Sequence, residues 1–528
     1  MSDLSSGTQN FGWIRTLIWP VHRHELKKLI PMMLIFFFIS FNYNVLRTMK
    51  DTLVVTAKSS GAEVIPFIKV WAMFPCAILA TFLFTRLSNR FSREKVLYLM
   101  LSIFLIYFFL FAFFLYPNHE LLHPNAMADS LQEVLPVGCK GLIAMFRNWT
   151  FTLFYVMSEL WSNIVLFVLI WGFTNQVTRL QEARRFYGLF GFGANFSGIV
   201  AGQISVFLCK RDFNPNFFFG NTAWEQTTII LVSLVILSGI AAMALFKWLY
   251  TFVLSDPRYY DPEDACADKN LKGKLSLREN FSYLLRSKYL IYITLLVVSY
   301  NIVINLVEIV WKGQLRELYP NPIDYSLYIN QVSTVVGIVA TLAALLVSSN
   351  CIRKFGWTFT AMLTPIILLV TSIGFFSLFF MKDHLEKYAM ALFGITPLVM
   401  LVSVGSLQNI LCRGAKYTVF DATKEIAFVP LSASSKLKGT AAIDGVCNRF
   451  GKSGGSVIHS NLLILFSTFT ASAPYVAAIL LLIISVWVMA VRLLGKEIDV
   501  KMADMQQDED PQTVEKTAQN VLSSGAVA

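Results

Sequence analysis

Runs of about 20 mostly apolar residues recur twelve times along the chain, each long enough to cross roughly 30 Å of hydrocarbon at about 1.5 Å per residue. They begin near Leu29, Ile65, Val96, Trp149, Tyr187 and Thr227, then near Tyr289, Leu327, Trp357, Tyr388, Gly439 and Pro474. The fourth and eleventh carry more polar residues than the others. The first is longer than a signal-peptide core, lacks a small-residue cleavage site and reads as a retained anchor. A polar break at residues 255–288 contains Asp256-Pro257, Asp261-Pro262 and a Lys-rich patch. It divides the pattern into a six-helix half at 1–254, a linker at 255–288, a second six-helix half at 289–495 and a polar, disordered tail at 496–528.

Composition agrees with many membrane spans rather than several soluble domains. Of 528 residues, 55% are hydrophobic and only 15% charged, where soluble domains carry about 25% charged residues. The net charge of +11 comes largely from short loops beside apolar runs, so membrane orientation explains it better than nucleic-acid binding. Arg15, Arg23, Lys27 and Lys28 precede the first span, and Arg86, Arg90, Arg93 and Lys95 lie between the second and third. The opposite loops hold few basic residues, which places both termini in the cytoplasm. The seven cysteines are scattered and the six histidines show no metal-ligand spacing, so no disulfide framework, metal or cofactor is expected.

A faint repeat accompanies the division. Asn42-Tyr43-Asn44 is followed seven residues later by Asp51, and Ser299-Tyr300-Asn301 seven residues later by Glu308. Duplicated halves with a site between them are the plan of secondary transporters.

Charged side chains inside apolar spans are costly and mark polar cavities or partners. Arg47, Lys50 and Asp51 stand near the end of the first span, Glu159 in the middle of the fourth and Glu308 in the seventh. Asn301 and Asn305 share a helical face with Glu308. Lys416 adjoins the tenth span, while Asp444, Arg449 and Lys452 surround or enter the eleventh. For Arg47 and Lys50, snorkelling to the interface competes with a role in a site. Lys452 lies in Phe450-Gly-Lys-Ser-Gly-Gly455, where small residues allow close approach of either a ligand or a neighbouring helix. The Gly-Lys-Ser here is no P-loop, because five residues separate Gly445 from Gly451 and no strand precedes it. Cations at this density need an anion, and a polyphosphate would meet an ammonium as a compact charge while an aromatic ring stacks a base. Lys50, Glu159, Glu308, Lys452, Arg47, Asn301, Asn305 and Arg449 are therefore expected to bind substrate, with Asp51, Asp444 and Lys416 coupling or gating. A membrane enzyme acting on a phosphate substrate and a channel are the readings from other classes.

Several segments carry a family resemblance: Leu46-Arg-Thr-Met-Lys-Asp-Thr52, Gly61-Ala-Glu-Val-Ile-Pro-Phe67, Ser158-Glu-Leu-Trp161, Glu182-Ala-Arg-Arg-Phe-Tyr187 and Asn305-Leu-Val-Glu-Ile-Val-Trp-Lys312. Lys416-Tyr-Thr-Val-Phe-Asp421 and Ala441-Ala-Ile-Asp444 through Gly455 continue it. The chain resembles the nucleotide transporters of plastids and obligate intracellular bacteria, the ATP/ADP translocases. The resemblance implies an all-α membrane protein of about twelve helices, major-facilitator-like and in two halves. It also implies a bacterial inner-membrane protein that exchanges external ATP for internal ADP, and it places family-important charges on Lys50, Glu159, Glu308 and Lys452; a monomer is expected. The chain departs from the family at Met49, at Cys412-Arg-Gly-Ala-Lys416 and at Lys438-Gly-Thr-Ala-Ala-Ile-Asp444. Family members differ in substrate, so a broader-specificity or proton-coupled ribonucleotide importer or an NAD/ADP exchanger stands as the alternative.

Overall fold

A computed structural model describes residues 21–178, 180–256, 259, 284, 287–346, 348–431, 435, 439–440, 443 and 447–508. Among these residues every regular element is helical. Eleven helices are long and apolar enough to span a membrane. Six come from the first half: α1 (Arg23–Thr56), α2 (Val64–Arg90), α3 (Glu94–Leu115), α4 (Trp149–Val177), α5 (Phe186–Cys209) and α6 (Ala223–Val253). The second half supplies α7 (Lys288–Leu318), α8 (Pro322–Ala343), α9 (Lys354–Leu392), α10 (Pro397–Ala427) and α12 (Phe469–Lys501). The remaining position belongs to α11 (Asn448–Phe466), whose 19 residues reach roughly 28 Å but carry Arg449, Lys452, Ser453, Ser456, His459, Ser460 and Asn461. Its polarity removes it from the apolar count, because one of its faces is turned to other helices rather than to lipid.

One predicted start shifts. Tyr388 falls in the last turns of α9, and α10 begins at Pro397. Local backbone chemistry makes the break: Gly394 takes the left-handed conformation (φ 66°) that ends a helix. Thr396 then caps the next one, its hydroxyl accepting from the Val399 amide at 3.4 Å, with Pro397 in the first helical position. Length and apolarity alone could not find this boundary, since both sides are equally greasy.

Helix α1 runs through the centre with 20 buried residues between Leu26 and Thr56, packing on α4, α5 and α6. Helix α7 holds the matching place against α10, α11 and α12. Close packing joins the halves. A Cβ on Gly202 of α5 would collide with the Thr334 hydroxyl of α8 and stand 3.1 Å from the Asn330 carbonyl. Gln203 donates to Thr334 at 3.2 Å, and Cys209 to Ser326 at 3.5 Å. On the α3–α4 connection, Gly138 fits against the Ile464 backbone of α11. These contacts run from the middle of the bundle away from the end carrying residues 23 and 501. Nearer that end, Gly188 and Gly191 of α5 have no atom within 4 Å of where a Cβ would stand. There Lys28 pairs with Glu182 at 2.7 Å, within the first half. The two halves meet at the end away from the chain termini.

Candidate functional site

Widened, π-type turns lie beside charged residues in several helices, among them Ile68–Met73 in α2, which contains Lys69, Trp161–Ile170 in α4, which begins two residues after Glu159, and Lys416–Phe420 in α10, which opens on Lys416. Such turns displace a helix face by an extra residue and recur at functional sites.

Near the joined end, six side chains form one ladder of alternating sign. Glu159 Oε1 lies 3.0 Å from Lys50 Nζ, which donates to Asp51 Oδ1 at 2.9 Å. Asp51 Oδ2 accepts from Lys312 Nζ at 2.7 Å. Glu308 Oε1 stands 2.9 Å from both Lys312 Nζ and Arg413 Nη2. The members come from α4, α1, α7 and α10. Lys50, Asp51 and Lys312 are buried, each with 5% or less of the side chain exposed, whereas Glu159 at 31% and Glu308 at 20% reach open space. Beneath Lys50 lies the buried Tyr155 ring, 3.8 Å from the ammonium to its centroid. Every charge in the ladder has an opposite partner, which burial demands.

Four further cations border the same space and lack a carboxylate within 4 Å among the described residues: Arg47, Lys69, Lys416 and Lys452. Lys452 is exposed, yet Lys416, Glu159, Tyr417 and Arg47 from three other helices are close enough to act on its charge. An exposed side chain surrounded by groups of several helices faces a cavity, not lipid. Lys416 lies 5.8 Å from the Tyr300 ring centroid and 5.2 Å from that of Tyr417, itself exposed on the cavity side.

Asn301 and Asn305 point from α7 to α11. Asn301 Nδ2 donates to Asn448 Oδ1 at 2.9 Å; Asn305 Nδ2 donates to the Lys452 carbonyl at 2.7 Å and to Ser456 Oγ at 2.9 Å. The glycines around Lys452 allow this approach: a Cβ at Gly451 would stand 2.8 Å from Asn301 Cβ, and one at Gly455 3.1 Å from Asn305 Cβ. Of the two sequence readings for these glycines, helix packing is the one the contacts display. Packing Gly451 and Gly455 on α7 fixes how α11 is rotated about its own axis, and with it the direction of Lys452.

Among the residues expected from sequence, the ladder contains Lys50, Asp51, Glu159 and Glu308. Arg47, Lys416 and Lys452 lie at the cavity. Arg449 is exposed at the start of α11 and outside the ladder. Asp444 lies outside the described residues. Sequence reasoning passed over Lys69, Lys312 and Arg413. All three are cations within apolar runs, the same signal that marked Lys50, but Lys312 and Arg413 were read only as parts of longer motifs.

Comparison with known proteins gives the arrangement a family. The family model described as TLC ATP/ADP transporter matches residues 4–498. A relative named ADP,ATP carrier protein 1 from Chlamydia pneumoniae is 45% identical over 487 residues, covering 92% of this chain and 94% of its own. ADP,ATP carrier protein 2, chloroplastic, from Arabidopsis thaliana is 40% identical, covering 92% and 77%. Among solved structures, a bacterial homologue of the iron transporter ferroportin in an inward-facing state superposes with TM-score 0.54 at 12% identity, over 89% of this chain and all of that one. A D-xylose–proton symporter gives 0.50 at 14% identity, over 89% and 97%. Those two share the fold, that of major-facilitator-type transporters. This multi-pass membrane protein belongs to the TLC ATP/ADP transporter family.

Proposed function

We propose that the chain exchanges external ATP for internal ADP by alternating access, binding the nucleotide between its two six-helix halves. The carrying observation is the charge balance. The ladder is neutral as a whole, and Arg47, Lys416 and Lys452 add positive charge to the cavity with no carboxylate within 4 Å among the described residues. A nucleoside di- or triphosphate, with roughly three to four negative charges at neutral pH, would balance it. The ladder also supplies a reason for coupling. Parted between Asp51 and Lys312, its α1–α4 side keeps one net negative charge and its α7–α10 side one net positive charge. Opening that end without cargo leaves both uncompensated in a medium of low dielectric. A bound polyphosphate offsets the positive side, so an empty carrier is held back from switching and exchange is favoured over leak.

In this reading Lys50, Glu159, Glu308, Lys452, Arg47, Asn301, Asn305 and Arg449 form the binding surface, and Asp51, Asp444 and Lys416 its gates. The termini face the cytoplasm of a bacterial cell whose inner membrane holds the protein as a monomer; the distribution of Lys and Arg among the short loops supports that orientation. The names of the relatives favour ATP and ADP over NAD or other ribonucleotides. The test is uptake of labelled ATP into proteoliposomes loaded with ADP, GTP, NAD or nothing. Uptake that requires internal ADP supports exchange, while uptake into empty vesicles under a proton gradient would overturn it in favour of proton-coupled import.

A further inference from the structure

Tyr325 stands in the first turn of α8, fully buried, and its hydroxyl has no hydrogen-bond partner among the described residues. Lys312, Asp51, Glu308 and Arg316 are the charged groups close enough to act on it, Lys312 first among them. An unused oxygen therefore lies beside the one rung of the ladder that joins the halves. The closed end is what buries it: α8 packs there on α1 and α5 of the first half, and the neighbouring Ser326 accepts from Cys209 of α5. Tyr325 moves with Lys312 rather than with Asp51. Only residues 319–321 separate α7 from α8, and the Tyr325 amide donates to the Asn321 carbonyl of that turn at 3.0 Å. Parting the halves takes Lys312 away from Asp51 and leaves it Glu308, which Arg413 shares. A phenol oxygen can accept a hydrogen bond from an ammonium.

We infer that Tyr325 is the second partner of Lys312: as the joined end opens, its oxygen accepts the hydrogen bond that Asp51 gives up. A buried hydroxyl without a partner costs free energy in the closed end, and one that gains a charged partner on opening lowers the cost of parting the ladder. Tyr325 is thus a positioning residue of the transport cycle and touches no cargo. The inference rests on the alternating-access part of the reading above and not on the identity of the cargo. Two rival roles exist. The ring could serve packing alone, or the hydroxyl could meet only water when the end opens.

Tyr325→Phe keeps the ring and removes the oxygen. It is made alone and together with Lys312→Gln, in a cysteine-free chain carrying Tyr417→Cys. Labelling by a membrane-impermeant thiol reagent is followed from the closed side without cargo, and thermal unfolding in detergent in parallel. Labelling should fall about three- to tenfold in Tyr325→Phe, the loss of one hydrogen bond to a charged group. The melting temperature should equal that of the parent or exceed it, since a buried hydroxyl without a partner has gone. In the Lys312→Gln chain the same change should leave labelling as it was. Unchanged labelling in Tyr325→Phe overturns the inference in favour of packing. An equal fall with and without the Lys312 ammonium overturns it in favour of water. A lower melting temperature shows the hydroxyl already bonded in the closed end, which overturns it too. Failure of the cargo reading is seen separately, because the labelling uses no nucleotide and the uptake test is made on the native chain.

Discussion

Asp51 Oδ2 lies 2.7 Å from Lys312 Nζ, and this pair, 261 residues apart in sequence, is the one rung of the charged ladder that crosses from the first half to the second. Both side chains are buried. Removing either member breaks a buried pair and leaves the other its partner within its own half, Lys50 for Asp51 or Glu308 for Lys312; breaking a buried pair costs up to about 3–5 kcal/mol. Asp51→Ala and Lys312→Ala should each destabilise the protein by that order, and the double variant by less than their sum. A double-mutant cycle from thermal unfolding measures this, and strict additivity would mean the pair carries no coupling.

The same rung is expected to hold the joined end shut. In a cysteine-free background, a cysteine replacing Tyr417 in the cavity should react with a membrane-impermeant thiol reagent from the open side only. Lys312→Gln leaves Asp51 bonded to Lys50 but unlinked to α7, so labelling from the other side should rise severalfold. Equal protection in both proteins argues that packing at Gly138 and Gly202 closes that end without the ladder.

Lys452 and Lys50 should fail differently. Lys452 is exposed to the cavity without an ion-pair partner among the described residues, so Lys452→Ala should abolish exchange, by about 100-fold or more, and leave the melting temperature within error of wild type. Lys50→Ala strands Glu159 and leaves Asp51 to Lys312 alone, and should lose stability along with activity. Full transport by Lys452→Ala would remove that residue from the site.

Gly451 is packed too tightly on α7 for a side chain. A Cβ there stands 2.8 Å from Asn301 Cβ and 3.1 Å from the Val298 carbonyl. Gly451→Val should cost roughly 1–3 kcal/mol through overpacking and turn α11 away from α7. Exchange should fall with it, because Lys452 rides on the same turn; wild-type stability in this variant would show that the helices adjust freely.

A pH effect is expected outside the membrane-spanning segments. His123, on the α3–α4 connection, is buried with Nε2 2.6 Å from Thr150 Oγ1, and burial, helped by the neighbouring His119, pulls its pKa from 6.5 to about 4. The unfolded chain therefore binds the proton first. Stability is fully present above pH 6.5 and is lost as the pH falls toward 4. His123→Gln should flatten that part of the stability profile; an unchanged profile would place the sensitivity elsewhere.

The helices were readable because a bilayer imposes a length and an apolarity on each crossing. Where another rule governs, the reading slipped. The boundary before α10 depends on the left-handed backbone of Gly394, and the polarity of α11 reflects burial against α7 and the cavity. The charges at Lys50, Glu159 and Glu308 stood out in the chain because charge inside an apolar run needs compensation. Lys69 obeyed the same rule unnoticed, only six residues into its helix, where an interfacial lysine is unremarkable.

Which charge meets which could not be read from the chain at all. Lys312 finds Asp51, Arg413 finds Glu308, and Lys69 finds an amide, through the rotations and separations of helices that are far apart in sequence. Sequence settles how many groups must be neutralised, since desolvation acts on each residue wherever it lies. Neutralisation itself acts over a few ångströms between specific atoms, so partners and leftover charge exist only once the helices have packed.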